Sequence, residues 1–215
     1  MIIKKVLLLL ASVFAAQIVF AQQDWGTSVN SGDKFSLGVY AEGGLDVSSF
    51  HSSGETVKPG VSPFTGFHVG AGVNIRLFRR DERLAVDDTW LGIQAGFVYT
   101  NSGFVSDGVN VSSGYLCVPI DLQVYPTSNL FVEVGPEMCL SLGYSPESVK
   151  VDNLTLIMGG HKANDVKIGF GAGYLFPSVP AGVSIKYLIG TSNFAENLKW
   201  KGNQLRLSLF YRFGL

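Results

Sequence analysis

Three groups of residues in this chain are of the types that chemistry uses. Cys117 and Cys139 are its two cysteines, and both stand at the same sequence distance from Ser128. In an antiparallel hairpin turning at Ser128 they would face one another across two strands. They either close a disulfide or stay as two buried thiols, and spacing alone leaves both open because cross-strand bridge geometry is demanding. His68 shares a strand face with Arg76 and lies within reach of several acids. A serine–histidine–acid relay there would be acyl-transfer chemistry. No serine stands at the spacing such a site needs near a rim, so His68 reads as structural. His51 and His161 fall in separate loops without ligand spacing, which gives no metal site. Gly169-x-Gly171-x-Gly173 is followed by no helix, so it packs rather than cradling phosphate. The expectation is a non-enzymatic protein with no cofactor.

The third group is a set of charges: Glu42, Asp46, Asp121, Glu133 and Glu137 against Arg76, Lys167, Lys186, Arg206 and Arg212. All ten fall on one side of segments whose side chains alternate with period two. That pattern belongs to strands.

Eight such strands must position them. They run Phe35–Val47, Phe67–Phe78, Trp90–Thr100, Tyr115–Tyr125, Leu130–Gly143, Asp165–Phe176, Ala181–Gly190 and Gln204–Phe213. In the last, Leu205, Leu207, Leu209, Tyr211 and Phe213 oppose Arg206, Ser208, Phe210 and Arg212. No apolar face of the eight carries a charge. A Lys or Arg at a lipid midplane would cost about 2–4 kcal/mol, so a clean apolar face facing lipid explains the exclusion. The ten charges then line the interior of an eight-stranded antiparallel up-and-down transmembrane β-barrel, an all-β fold. Eight strands leave an interior that side chains fill, so these charges must pair or be hydrogen-bonded. A plugged, ion-paired lumen is expected, with Arg206 and Arg212 balancing Glu42 and Asp46.

Composition agrees. With 26 Gly in 215 residues, 15% charged residues and a net charge of −1, the chain is glycine-rich and charge-poor, and nucleic-acid partners are excluded. Residues 1–21 read as a signal peptide: Lys4 and Lys5, an apolar run from Val6 to Phe20, then cleavage after Ala21. Residues 22–34 form a periplasmic N-terminal segment and 35–215 the barrel. Localisation is the outer membrane, because no later run is apolar enough for a membrane helix and a barrel is the other way to span.

The connections alternate in length. Long ones cover about 49–66, 101–114, 144–164 and 191–203; Pro126 to Asn129 and Pro177 to Pro180 are tight turns. Long loops belong outside and short turns in the periplasm. Arg79 to Asp88 is a periplasmic connection with a dense charge run, read as a solvated turn or a contact for a periplasmic protein. Pro119 and Pro136 lie at nearly opposed positions on one hairpin, where bulges absorb them or a weak stave results. Phe35, Tyr174, Phe176, Tyr211 and Phe213 fall near the periplasmic rim, and Phe67, Phe97 and Tyr99 toward the outer rim, as aromatic girdles do. Tyr211 and Phe213 also mark the strand that assembly machinery would read.

Several stretches carry a family resemblance: Tyr115-Leu116-Cys117-Val118-Pro119-Ile120 with Tyr125, Phe131-Val132-Glu133-Val134-Gly135-Pro136, Gly169-Phe170-Gly171-Ala172-Gly173-Tyr174 and Ile185-Lys186-Tyr187-Leu188-Ile189-Gly190-Thr191-Ser192-Asn193. In order, and with the ending Phe210-Tyr211-Arg212-Phe213, they resemble the PorT-like outer-membrane β-barrel domain proteins common in Bacteroidetes. The chain departs from that pattern by its extra Gly214 and Leu215. The resemblance implies the fold and the membrane, and through a relative associated with protein secretion to the cell surface it implies a secretion accessory.

The reading is a structural or protein-interaction component of the envelope. Its partners are outer-membrane lipid, the barrel assembly machinery, and periplasmic or secretion-system proteins. Two alternatives stand beside it. A lipid-modifying outer-membrane enzyme would need a polar triad at one rim. A soluble lipocalin-like ligand-binding barrel would turn the same alternation inside out, bulky residues inward and charges outward.

Overall fold

A computed structural model describes residues 35–52, 61–81, 86–106, 108–145, 148–151, 154–157, 164–192 and 200–213. The expected signal peptide, the segment 22–34 and the ending Gly214-Leu215 lie outside these residues. The strands are β1 (Phe35–Ser52), β2 (Val61–Asp81), β3 (Val86–Ser106), β4 (Val109–Val124), β5 (Leu130–Ser145), β6 (Ser148–Val151), β7 (Leu154–Ile157), β8 (Asn164–Leu175), β9 (Ala181–Gly190) and β10 (Trp200–Phe213). Eight of them close a barrel in the order β1-β10-β9-β8-β5-β4-β3-β2, while β6 and β7 form a separate two-stranded sheet. Every pairing is antiparallel, and closure joins β1 to β10 through Asp46 opposite Arg206.

The two faces of the wall are sorted as the alternation requires. Leu209 is 61% exposed, Phe97 58% and Leu45 56%, whereas Asp46, Glu137 and Gln123 are fully buried. Charges inside and aliphatics outside exclude the lipocalin-like alternative, because a water-facing barrel would bury those aliphatic faces. The rim aromatics pair on the lipid face, Tyr211 with Phe213 at 4.7 Å and Tyr174 with Phe176 at 6.1 Å between ring centroids. The side chain of Phe35 falls outside the described set.

The tight turns form as expected. Asn129 donates from Nδ2 to the Leu175 carbonyl at 2.9 Å, and the Arg212 amide donates to the Pro180 carbonyl at 2.7 Å. The long connections are shorter than expected. The segment 101–114 is a strand hairpin, with Phe104 opposite Val111 and Gly108 in the turn at φ 77°. β1 likewise continues to Ser52, β2 starts at Val61, and the 144–164 connection holds β6 and β7. The reason is a reversal of the pattern. Phe104 and Val111 point inward and are fully buried, while Asn110 is exposed. Beyond the lipid the outer face meets water, so apolar residues move inside and the membrane-type alternation stops.

Pro119 and Pro136 are not absorbed by bulges. Register is the same on both sides of them, with Cys117 opposite Cys139 and Leu122 opposite Val134. The β4–β5 ladder instead skips from the Pro119–Glu137 pair to the Leu122–Val134 pair, and the β3–β4 ladder skips from Val98–Cys117 to Ala95–Ile120. Proline has no amide hydrogen to donate, and here the wall tolerates the missing bonds without shifting.

The charged lumen as candidate functional site

Strand register brings the interior side chains together in layers. In the outer layer, Arg206 of β10 donates from Nε to Asp46 Oδ1 at 3.3 Å. Its two terminal nitrogens donate to the carboxylate of Glu137 at 2.7 and 3.1 Å. β5 and β10 are not neighbours in the wall, so this forked pair crosses the lumen. Such bidentate contacts are the strong ones. Asp46 also accepts from Thr100 Oγ1 at 2.6 Å; Thr100 accepts from Gln204 Nε2 at 3.0 Å, and Gln204 Oε1 accepts from Lys167 Nζ at 2.9 Å. Lys167 lies over the Tyr115 ring at 5.4 Å and pairs in register with Glu137.

Cys117 and Cys139 sit in this layer as a disulfide with Cα atoms 4.0 Å apart. It bridges β4 and β5 two residues from the place where their ladder breaks. Glu137 with the two sulfurs would also make a compact ligand set. The sulfurs are bonded to each other and so supply no thiolate, and the Glu137 carboxylate is already paired with Arg206, so the group does not fit a metal ligand set.

His68 is where the structure departs furthest from expectation. It stands away from Arg76, with Nε2 2.9 Å from Ser208 Oγ and Nδ1 3.2 Å from Asp46 Oδ1. This is the layout of a serine–histidine–acid relay, made of a serine that sequence spacing did not suggest, but with the acid link unmade: Nδ1 is near Asp46 without a hydrogen bond to it. Gly44 brings it about. It pairs with His68 on one side and Ser208 on the other, and a Cβ on it would lie 2.9 Å from His68 Cε1. Reading register across that glycine is the signal that could have found the serine. All three relay residues are buried. Ser208 faces a cavity lined also by Glu42, Gln94, Asp121, Glu133 and Lys186, of about 10 Å³. That is room for about one water molecule, and none for an acyl chain.

In the middle layer Lys186 Nζ donates to both oxygens of Asp121 at 2.7 and 2.6 Å. Glu133 accepts from the neutral Gln123 Nε2 at 2.9 Å. The glycines of β8 make space for this layer and the next: a Cβ on Gly169 would run into the Lys186 chain, and one on Gly173 into the Phe131 ring. The expected packing role of Gly169-x-Gly171-x-Gly173 is therefore met by particular neighbours.

The layer nearest the short turns, periplasmic in the expected orientation, differs from the expected balance. Arg212 pairs in register with Tyr40, and its side chain meets no acid of β1. It donates to Tyr125 Oη at 2.9 Å and to Gln123 Oε1 at 3.3 Å, and it lies over the rings of Phe131 and Phe210 at 5.2 and 5.0 Å. Arg76 lies over the Tyr125 ring at 5.3 Å. Of the two arginines expected to balance Glu42 and Asp46, Arg206 does so for Asp46 and Arg212 does not. Two-residue steps along β10 give the reason, because Arg212 sits nearer the periplasmic end than either acid's partner.

Residues 6–213 match the family described as outer membrane protein beta-barrel domain. Among solved structures the chain is similar to Neisserial surface protein A, at 11% identity and a TM-score of 0.47, over 84% of this chain and 100% of that one. No curated protein matches it.

Proposed function

The chain belongs to the outer membrane protein beta-barrel domain family, and from that premise we propose that it serves the outer membrane as a closed, non-enzymatic barrel that presents surfaces to other envelope proteins. The observation that carries this is the forked contact of Arg206 with Glu137 across the lumen, joined to Asp46, Thr100, Gln204 and Lys167. A chain of buried, hydrogen-bonded charged and polar side chains ties strands together across the lumen. It suits a plug better than a path for solutes.

The finer reading is a PorT-like secretion accessory that contacts periplasmic proteins. One feature favours it. β2 and β3 continue past the Phe35–Leu77 pair as a hairpin whose register sets Arg79 opposite Asp88 and Arg80 opposite Asp87. Such a charged, paired ribbon in the periplasm suits a docking element as well as a solvated turn. A lipid-modifying activity has the grouping of Ser208, His68 and Asp46 in its favour, and against it the missing His68–Asp46 hydrogen bond and the water-sized cavity beside Ser208.

The test is site-specific photo-crosslinking from position 80 or 87 in the native envelope, followed by affinity isolation of the intact barrel. Discrete crosslinked periplasmic proteins are expected, absent when the probe is moved to lipid-facing Leu209. Identical patterns from both positions would refute the docking role and leave a purely structural barrel.

A further inference from the structure

The acids and bases of the lumen are not distributed alike. Arg206 has Asp46 and Glu137, Lys186 has Asp121, and Lys167 stands opposite Glu137. Arg76 and Arg212 remain together at the periplasmic mouth, where both reach Tyr125, one over its ring and one to its hydroxyl. Among the described residues neither makes an ion pair. The Arg212 terminal nitrogens meet only neutral acceptors, and its Nε has none. Arg76 is 9% exposed, and its Nε and Nη2 are enclosed without a hydrogen-bond partner.

A guanidinium taken out of water without an anion is strongly disfavoured, and ring faces attract the cation without accepting its N–H hydrogens. The arginine fork matches oxyanions in plane and spacing, phosphate above all. Two such forks side by side, with no acid paired to either among the described residues, call for an oxyanion. We propose that the periplasmic mouth of the barrel is a binding site for a phosphate group, held by Arg76 and Arg212 over the Tyr125, Phe131 and Phe210 rings. This goes beyond the closed-barrel reading and stands whether or not the hairpin docks a protein. The phosphate arrives either on a periplasmic solute or on a phospholipid headgroup at the inner-leaflet rim.

Purified full-length barrel in nonionic detergent and chloride buffer is titrated with inorganic phosphate, followed by ³¹P line width and by the midpoint of its heat-induced gel shift. The result expected is saturable broadening and a raised midpoint in the wild type, both lost in Arg76→Gln. In phosphate-free buffer Arg76→Gln should be at least as stable as the wild type, since it removes an uncompensated buried cation. Arg76→Lys, which keeps the charge without the fork, should bind about tenfold more weakly. A second arm compares phosphatidylcholine vesicles with and without phosphatidylglycerol. An Arg76-dependent rise confined to phosphatidylglycerol vesicles would support the site and identify the headgroup as its source. Three results would overturn it: no response in either arm, an undiminished response in Arg76→Gln, or failure of that variant to fold where Arg76→Lys folds without responding to phosphate.

Discussion

Removing Arg206 alone should be far more damaging than removing it together with the carboxylate it holds. Its two terminal nitrogens lie 2.7 and 3.1 Å from the Glu137 oxygens, and both residues are at most 2% exposed. Unit charges about 4 Å apart at an effective dielectric of about 20 attract by about 4 kcal/mol, and orphaning one partner of a buried pair costs about 3–5 kcal/mol. Arg206→Met leaves Asp46 with Thr100 and His68, but leaves Glu137 with no cation in contact. The loss should therefore reside in Glu137. Arg206→Met should lower unfolding free energy by about 3–5 kcal/mol, and adding Glu137→Met should restore all but about 1 kcal/mol, because apolar replacement of a whole buried pair is often neutral. Urea unfolding in lipid vesicles, followed by tryptophan fluorescence and by the gel shift, measures both variants. Additive losses in the double variant would refute the cross-lumen coupling.

Three further outcomes follow from the wall and the relay. The double variant Cys117→Ser with Cys139→Ser should lose about 3 kcal/mol, the chain entropy of a loop spanning 22 positions, and two free thiols in unreduced, denatured protein would refute the bridge. Gly44→Ala should lower stability by about 1–3 kcal/mol, since its Cβ has no room against the Leu207 carbonyl and His68; an unchanged unfolding midpoint would contradict the close approach. Ser208 should resist a fluorophosphonate probe in the folded barrel, because its cavity admits about one water. Stoichiometric labelling lost in His68→Ala would revive the enzyme reading.

The wall was legible in the sequence because lipid imposes one rule on every strand. Leu205, Leu207 and Leu209 must face out whatever their neighbours, so period two alone assigns them. The Cys117–Cys139 alignment was also legible, since a single hairpin fixes it by counting from the turn. Partners across the lumen were not. Arg206 meets Glu137 at a sequence separation of 69, through strands that are not adjacent, and no local count reaches that far. His68 finds Ser208 only once closure has placed β10 beside β1 with Gly44 between them. Arg212 misled for the same reason: sharing a face with Arg206 said nothing of how far along the barrel the acids extend. The outer hairpin hid because Asn101, Ser102 and Asn110 look like loop residues until Phe104 and Val111 are seen pointing inward.

The closed lumen is tested most directly by single-molecule conductance of the full-length barrel in planar bilayers. The wild type should show no conductance steps above the bare membrane at either polarity. Arg206→Gly with Glu137→Gly, which deletes the crossing pair, should show small cation-permeable steps. Stable steps from the wild type, blocked by neither polarity nor refolding, would contradict a lumen closed by its own charges.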